Sequence, residues 1–247
     1  MELTSALAIE LLELEEDDDF LDLCCAPGTK LCLAASKIGN NGSVTGVDIS
    51  RVRLSTAQSQ VKKYKLQRIR LFNANSMEFD GRVYRIDESL RIKRSKSEKP
   101  FFQTTDYRKY PGLQTDELFT KVLVDAECTH DGSIKHVQKQ IQNNWKDFDL
   151  QLFSKDRLEQ LYRSQYEILE AGFRLLKPGG ILIYSTCSLT KRQNEQNIQK
   201  FLDMHRNCKL IKISLDGFSN EEGFIRIDPM KMKMGALFIA KMTKIKE

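Results

Sequence analysis

Apolar positions recur with helical spacing over residues 3–16 (Leu3, Ala6, Leu7, Ile9, Leu11, Leu12) and stop at an acidic turn, Asp17–Asp19. That pattern predicts a first helix. The short apolar run Phe20-Leu21-Asp22-Leu23 then predicts the end of a buried strand. Pro27 and Gly28 cut it off. Proline fixes its own φ and biases Ala26 away from helix. Gly28 permits a tight turn and close approach of the backbone to a ligand. Helical spacing resumes over residues 30–38 (Leu31, Ala34, Ala35, Ile38). Asn40-Asn41-Gly42 reads as a turn, residues 43–47 as a second strand ending at Asp48, and residues 51–64 as a helix. A third strand, RIRLFN at 68–73, ends in Asn73-Ala74-Asn75-Ser76.

The second half repeats the alternation. FTKVLV at 119–124 predicts a fourth strand with Asp125-Ala126-Glu127-Cys128 at its tip. Residues 129–148 are a polar loop or short helix. A helical stripe from Leu158 to Leu176 has Ser154 as its expected N-cap and Lys177-Pro178-Gly179-Gly180 as its stop. ILIY at 181–184 predicts a fifth strand, followed by Ser185-Thr186-Cys187-Ser188. Residues 194–205 read as a helix, and 224–227 and 236–242 as two late strands, the second an antiparallel edge strand. Strands alternating with helices predict an α/β fold with a doubly wound, mostly parallel sheet of seven strands and one antiparallel edge. No repeat or second domain is visible, so residues 1–247 read as one domain.

Charge changes this picture in one place. The chain is mildly basic, with net charge +5, and residues 81–110 hold nine Lys/Arg against four acids, enough to account for that surplus. Phe101, Phe102, Tyr107 and Tyr110 interleave with those charges. Residues 81–117 therefore read either as a solvated basic insertion or as a segment that meets RNA phosphates and bases. No apolar run reaches the ~18 residues of a membrane span, and the acidic N-terminus lacks a basic leader. Six cysteines without a CxxC pair do not make a disulfide scaffold or a zinc motif. No metal is expected, and His130, Asp131 and His136 read as ordinary surface polar groups. The expected setting is an intracellular, reducing compartment, either cytoplasm or nucleus and nucleolus, with the chain a monomer.

In a doubly wound sheet the strand tips share one crevice. That placement gathers Cys24, Cys25, Lys30, Asp48, Asn75, Asp125, Cys128 and Cys187. Asp48, about 20 residues beyond the glycine turn, has two readings: a holder of a ribose diol, or a cap for the following helix. Asn75 is likewise an adenine reader or a plain turn residue.

These motifs together resemble those of the NSUN/RsmB-type RNA cytosine-5-methyltransferases. CCAPGTK resembles the family's CAAPGGK turn, VDIS its second motif, and DAEC its D-x-P-C-S. YSTCS with the following Asn194-Glu195 resembles S-T-C-S…E-N-E, and ALFIAKM resembles G-F-F-x-A-x-L. The likeness runs over roughly residues 3–243. It implies a Rossmann-like class I methyltransferase fold, S-adenosylmethionine as cofactor, and a tRNA or rRNA substrate. It further implies Cys187 as nucleophile, Cys128 as the cysteine that assists release, and Asp125 and Lys30 at the reacting base. Cys24, Cys25, Ala26, Pro27, Gly28, Thr29, Lys30, Asp48, Arg53, Asn75 and Asp125 would hold the cofactor. Three positions depart from the family pattern. Glu127 replaces proline and is expected to raise the Cys128 thiol pKa, Thr29 replaces glycine, and Asn75 replaces aspartate. The family's N-terminal RNA-binding extension is not present in this sequence. The alternative is a weak or inactive methyltransferase-fold protein that binds RNA or assists assembly.

Overall fold

A computed structural model describes residues 3–39, 42–80, 100–104, 118–142, 154–214, 222–232 and 234–246. The basic segment lies outside these residues except for 100–104, and so does Trp145.

The helices are α1 (Leu3–Glu10), α2 (Thr29–Lys37), α3 (Arg51–Lys63), α4 (Ile134–Gln142), α5 (Lys155–Leu175), α6 (Glu195–Met204) and α7 (Pro229–Met232). The strands are β1 (Asp19–Asp22), β2 (Ser43–Asp48), β3 (Ile69–Asn73), β4 (Phe102–Gln103), β5 (Phe119–Asp125), β6 (Leu176–Thr186), β7 (Cys208–Leu210), β8 (Phe224–Ile227) and β9 (Leu237–Lys244). They form one sheet in the order β4-β3-β2-β1-β5-β6-β9-β7, with β8 also on β9. Strands β3, β2, β1, β5 and β6 run parallel. The chain moves outward from β1 through β2 to β3, then returns to place β5 on the other side of β1. That reversal opens a crevice between the tips of β1 and β5.

Burial on both faces explains the near-continuous apolar strands. One core layer packs Phe20, Val44 and Leu123 against Leu7, Leu31 and Leu54 of α1, α2 and α3. The other packs Leu21, Val122 and Leu182 against Leu169 and Phe173 of α5 and Phe201 of α6.

Four details differ from the sequence expectation. The sheet has nine strands rather than seven among the described residues, because β4 and β7 are only two and three residues long, too short for a period to register. Strand β9 is not an edge. It pairs antiparallel with β6 on one side and with β7 and β8 on the other. Helix α1 stops at Glu10, and Glu13 takes a left-handed φ of 53°. The Glu13 carbonyl accepts from Lys121 Nζ at 2.8 Å, which turns the chain into β1. Lys177–Gly180 ends α5, but as an irregularity inside β6, with Gly179 at φ 82° and a register shift against β5. Ser154 does occupy the N-cap position of α5, without a side-chain hydrogen bond.

Candidate active site

The crevice contains a cavity of about 720 Å³. Cys24, Ala26, Pro27, Lys30, Asp48, Arg53, Asn75, Asp125, Cys128 and Cys187 all line it. The strand tips thus bring together most of the residues picked out from sequence. Cys25 and Thr29 border an adjoining recess instead. Gly28 is buried. At φ 105°, a Cβ there would lie 2.8 Å from Ala57 Cα, so the glycine lets α3 approach the turn. The Ala26–Pro27 peptide is cis.

On the side of β1, β2 and β3, backbone groups do most of the positioning. Asp48 accepts from Ala26 N at 3.1 Å and from Ser50 N at 2.8 Å. The cap of α3 is Ser50, whose hydroxyl accepts from Arg53 N at 3.4 Å. Asp48 is therefore not that helix's cap. Arg53 donates to the Ala26 carbonyl and ties α3 to the turn. Asn75 accepts from Met77 N at 3.2 Å, the local turn geometry that asparagine favours, while also lining the cavity. Burial first, and then the charge of Asp125, pushes the Asp22 carboxyl up to about 7. Burial also raises the Cys24 and Cys25 thiols.

These groups fit S-adenosylmethionine. A carboxylate has about four acceptor positions, and Asp48 spends two on backbone N–H groups, leaving others for a diol. Ile49, 73% exposed on the cavity rim, offers an apolar face for a flat base. The clustered acids Asp22, Asp48 and Asp125 suit a cationic sulfonium.

On the side of β5 and β6, side chains carry the structure. Lys30 Nζ donates to Asp125 Oδ2 at 2.7 Å, and Ser185 Oγ donates to Asp125 Oδ1 at 2.7 Å. Burial works against the Lys30 charge, but Asp125 outweighs it and raises the ammonium pKa. Cys128 Sγ and Cys187 Sγ lie 3.3 Å apart. His130 Nδ1 is 3.1 Å from Cys187 Sγ and 3.6 Å from Cys128 Sγ. The hydrogen bond from Cys187 lowers the Cys128 thiol to about 5, helped by His130 and opposed by burial. The same contact and burial raise Cys187. The two sulfurs therefore titrate together rather than as separate thiols.

Two expectations are corrected here. His130 is no ordinary surface group, for it sits half-buried against both sulfurs. Nor does Glu127 raise Cys128: its side chain is exposed, while its carbonyl accepts from Gln165 Nε2 at 2.7 Å. Cys128, His130 and Cys187 place three metal-competent atoms within 4.8 Å of one another. Two edges of that triangle, 3.3 and 3.1 Å, are shorter than the roughly 3.5–3.8 Å edges that tetrahedral zinc bond lengths require. The spacing is that of direct hydrogen bonds.

Gln193 locks the two cysteine loops together, and nothing in the sequence signalled it. Its Oε1 accepts from Thr129 N at 3.2 Å, and its Nε2 donates to Thr129 Oγ1 at 2.9 Å and Ser188 Oγ at 2.8 Å. Asn194 accepts from Thr186 Oγ1 at 2.6 Å and donates to the Ser188 carbonyl at 2.9 Å. Glu195 pairs with Arg226 at 2.7 Å, whose Nη1 donates to the Leu189 carbonyl. The Asn194-Glu195 dipeptide is therefore a brace for the Cys187 loop.

A doubly wound sheet with an acid at the tip of β2 and a cavity at the β1/β5 switch is the frame of a nucleotide-cofactor-binding α/β domain, and the family match makes it a class I S-adenosylmethionine-dependent methyltransferase. The family model described as 16S rRNA methyltransferase RsmB/F matches residues 9–90 and 81–243. The chain belongs to that family. Relatives include the ribosomal RNA small subunit methyltransferase F of Shewanella denitrificans, 28% identical over 91% of this chain and 37% of that protein. Another, from Aliivibrio fischeri, is 26% identical over 94% of this chain and 42% of that protein. The chain thus spans about two fifths of their length. The structure of NSun6 from Pyrococcus horikoshii with SFG has the same fold, with TM-score 0.72 and 24% identity over 100% of this chain and 53% of that chain.

Proposed function

We propose that this chain is the catalytic unit of an RNA cytosine-5-methyltransferase that acts on ribosomal or transfer RNA through a covalent cysteine adduct. The observation that carries the reading is the pair of thiols, Cys128 and Cys187, 3.3 Å apart beside the Lys30–Asp125 ion pair. Family membership and the relatives' names supply the RNA. When bound, S-adenosylmethionine supplies an electrophilic methyl group.

Carbon 5 of cytosine is a poor nucleophile. The Cys187 thiolate adds to carbon 6, and the ring double-bond electrons move toward ring nitrogen 3. Nitrogen 3 takes a proton from solvent, which it gives back when the ring double bond re-forms, and Asp125, held by Lys30 and Ser185, stabilises that protonated nitrogen. Carbon 5 then carries the electron density needed to accept a methyl group. Afterwards the Cys128 thiolate takes the carbon 5 proton, the ring double bond re-forms, and Cys187 leaves as thiolate. The six free cysteines suit a reducing compartment. Among the described residues no helix is long and apolar enough to cross a membrane.

The test uses tritiated S-adenosylmethionine with small-subunit ribosomal RNA transcripts and with total tRNA. Wild type transfers tritium to cytosine carbon 5. Cys187→Ala abolishes transfer, and Cys128→Ala accumulates a protein–RNA adduct stable in denaturant. Cofactor and RNA binding without transfer by wild type would refute the reading and leave an RNA-binding scaffold.

A further inference from the structure

We propose that His130 is a catalytic residue of this site, taking the proton that ionises the Cys128/Cys187 pair and returning it when Cys187 leaves the base. The inference rests on the methyl-transfer reading above and deepens it.

The geometry is that of a thiol–imidazole pair. Nδ1 of His130 is within 3.1 Å of one sulfur and 3.6 Å of the other, and the sulfurs are 3.3 Å apart. The imidazole is held there from both sides. Asp131 accepts from Leu189 N at 3.0 Å and from Thr129 Oγ1, and Gly132 N donates to the Cys187 carbonyl at 3.1 Å. Gly132 also permits this approach, since a Cβ there would lie 2.6 Å from that carbonyl. The ring stacks on His136 with centroids 4.4 Å apart and planes 12° from parallel. A left-handed φ of 54° at His130 points it inward, a conformation unusual for a residue other than glycine.

The surroundings require such a group. Asp125 at the tip of β5 is an anionic neighbour that helps raise the Cys187 thiol, since like charge disfavours a thiolate. Among the described residues, His136 on α4, Lys30 on α2 and Cys24 also line this cavity. The hydrogen bond to Cys128 raises the His130 pKa, against burial and with help from Asp125 and Glu127. The imidazolium that forms when a neutral Nδ1 takes the Cys187 proton offsets Asp125 and holds Cys187 ionised as it adds to carbon 6, with Cys128 still a thiolate.

The proton balance closes. The Cys187 S–H bond breaks and its proton moves to Nδ1, directly or by way of Cys128. The sulfur lone pair forms the bond to carbon 6. Cys128 later takes the carbon 5 proton, the carbon 6–sulfur bond breaks with its electrons returning to Cys187, and Nδ1 returns its proton. One proton passes to solvent from Cys128 for each methyl group transferred.

The test measures iodoacetamide alkylation of Cys128 and Cys187 by peptide mass spectrometry between pH 5 and 9, in wild type, His130→Asn and His130→Gln. Methyl transfer from tritiated S-adenosylmethionine to the RNA transcripts is followed in parallel. In the variants the alkylation profile shifts to higher pH by roughly one to two units. Methyl transfer at pH 7 falls roughly 100-fold, while S-adenosylmethionine affinity is unchanged. Added imidazole restores part of the rate in His130→Ala. Unchanged alkylation profiles and a full transfer rate in a folded variant would overturn the proposal. If wild type methylates no RNA, the functional reading fails instead, and the alkylation profiles still decide whether His130 ionises the thiols.

Discussion

The two walls of the crevice are built differently. The wall at β1, β2 and β3 is assembled from residues close in sequence and from backbone groups: the turn at 24–28, the Ala26 and Ser50 N–H groups, and Asp48 between them. The wall at β5 and β6 joins two loops 59 residues apart, and side chains hold it, with Gln193 at the centre and Gln165 donating to its Oε1 at 3.0 Å. A wall made from one turn and a strand tip leaves a compact motif. A wall made from long-range side-chain hydrogen bonds leaves only its reactive endpoints visible. Under the proposed function the first wall holds the cofactor and the second the reacting thiol.

That separation can be broken from either side. Gln193→Ala removes the acceptor of buried Thr129 N and of Gln165 Nε2, so it should lower stability by about 2–3 kcal/mol. Thermal unfolding should report a drop of about 5–10 °C, and alkylation of the two cysteines should lose its shared profile. S-adenosylmethionine affinity should change little. Equal losses on both sides would show that the walls are one cooperative unit.

Asp48→Ala should act in the opposite sense. It removes the carboxylate that fixes Ala26 N and Ser50 N, and calorimetry should find cofactor affinity reduced by about 10- to 100-fold. Thiol alkylation should keep its wild-type pH dependence.

Asp22 lies between the walls and gives a pH signature. Its folded pKa of about 7 stands above the ordinary carboxyl value of 3.8. The unfolded chain therefore releases this proton at lower pH than the native one. The associated stability is fully present below pH 3.8 and is lost as pH rises through about 7. Asp22→Asn should flatten the decline of stability across that window, as read by denaturant unfolding at several pH values.

The smallest effect belongs to Glu127. Its side chain is exposed and reaches the thiols only through His130. Glu127→Gln should change methyl transfer by less than about threefold, because charges separated by water are screened. A larger loss would put the Glu127 carboxylate in direct contact with the chemistry.

The sequence by itself determined the alternation of strands and helices, the glycine turn after β1, the acid ending β2, and the two cysteines at the tips of β5 and β6. Those features depend on residue type and local spacing, and short-range sterics and hydrophobic periodicity set them. Tertiary structure alone decided that Ser50 rather than Asp48 caps α3, that β9 is flanked on both sides, and that Gly28 accommodates Ala57. It also decided that His130 faces two sulfurs and that Gln193 joins their loops. Each of these depends on which distant segment fills a neighbouring position. Burial turns such a meeting into a required hydrogen bond, and no spacing along the chain announces it.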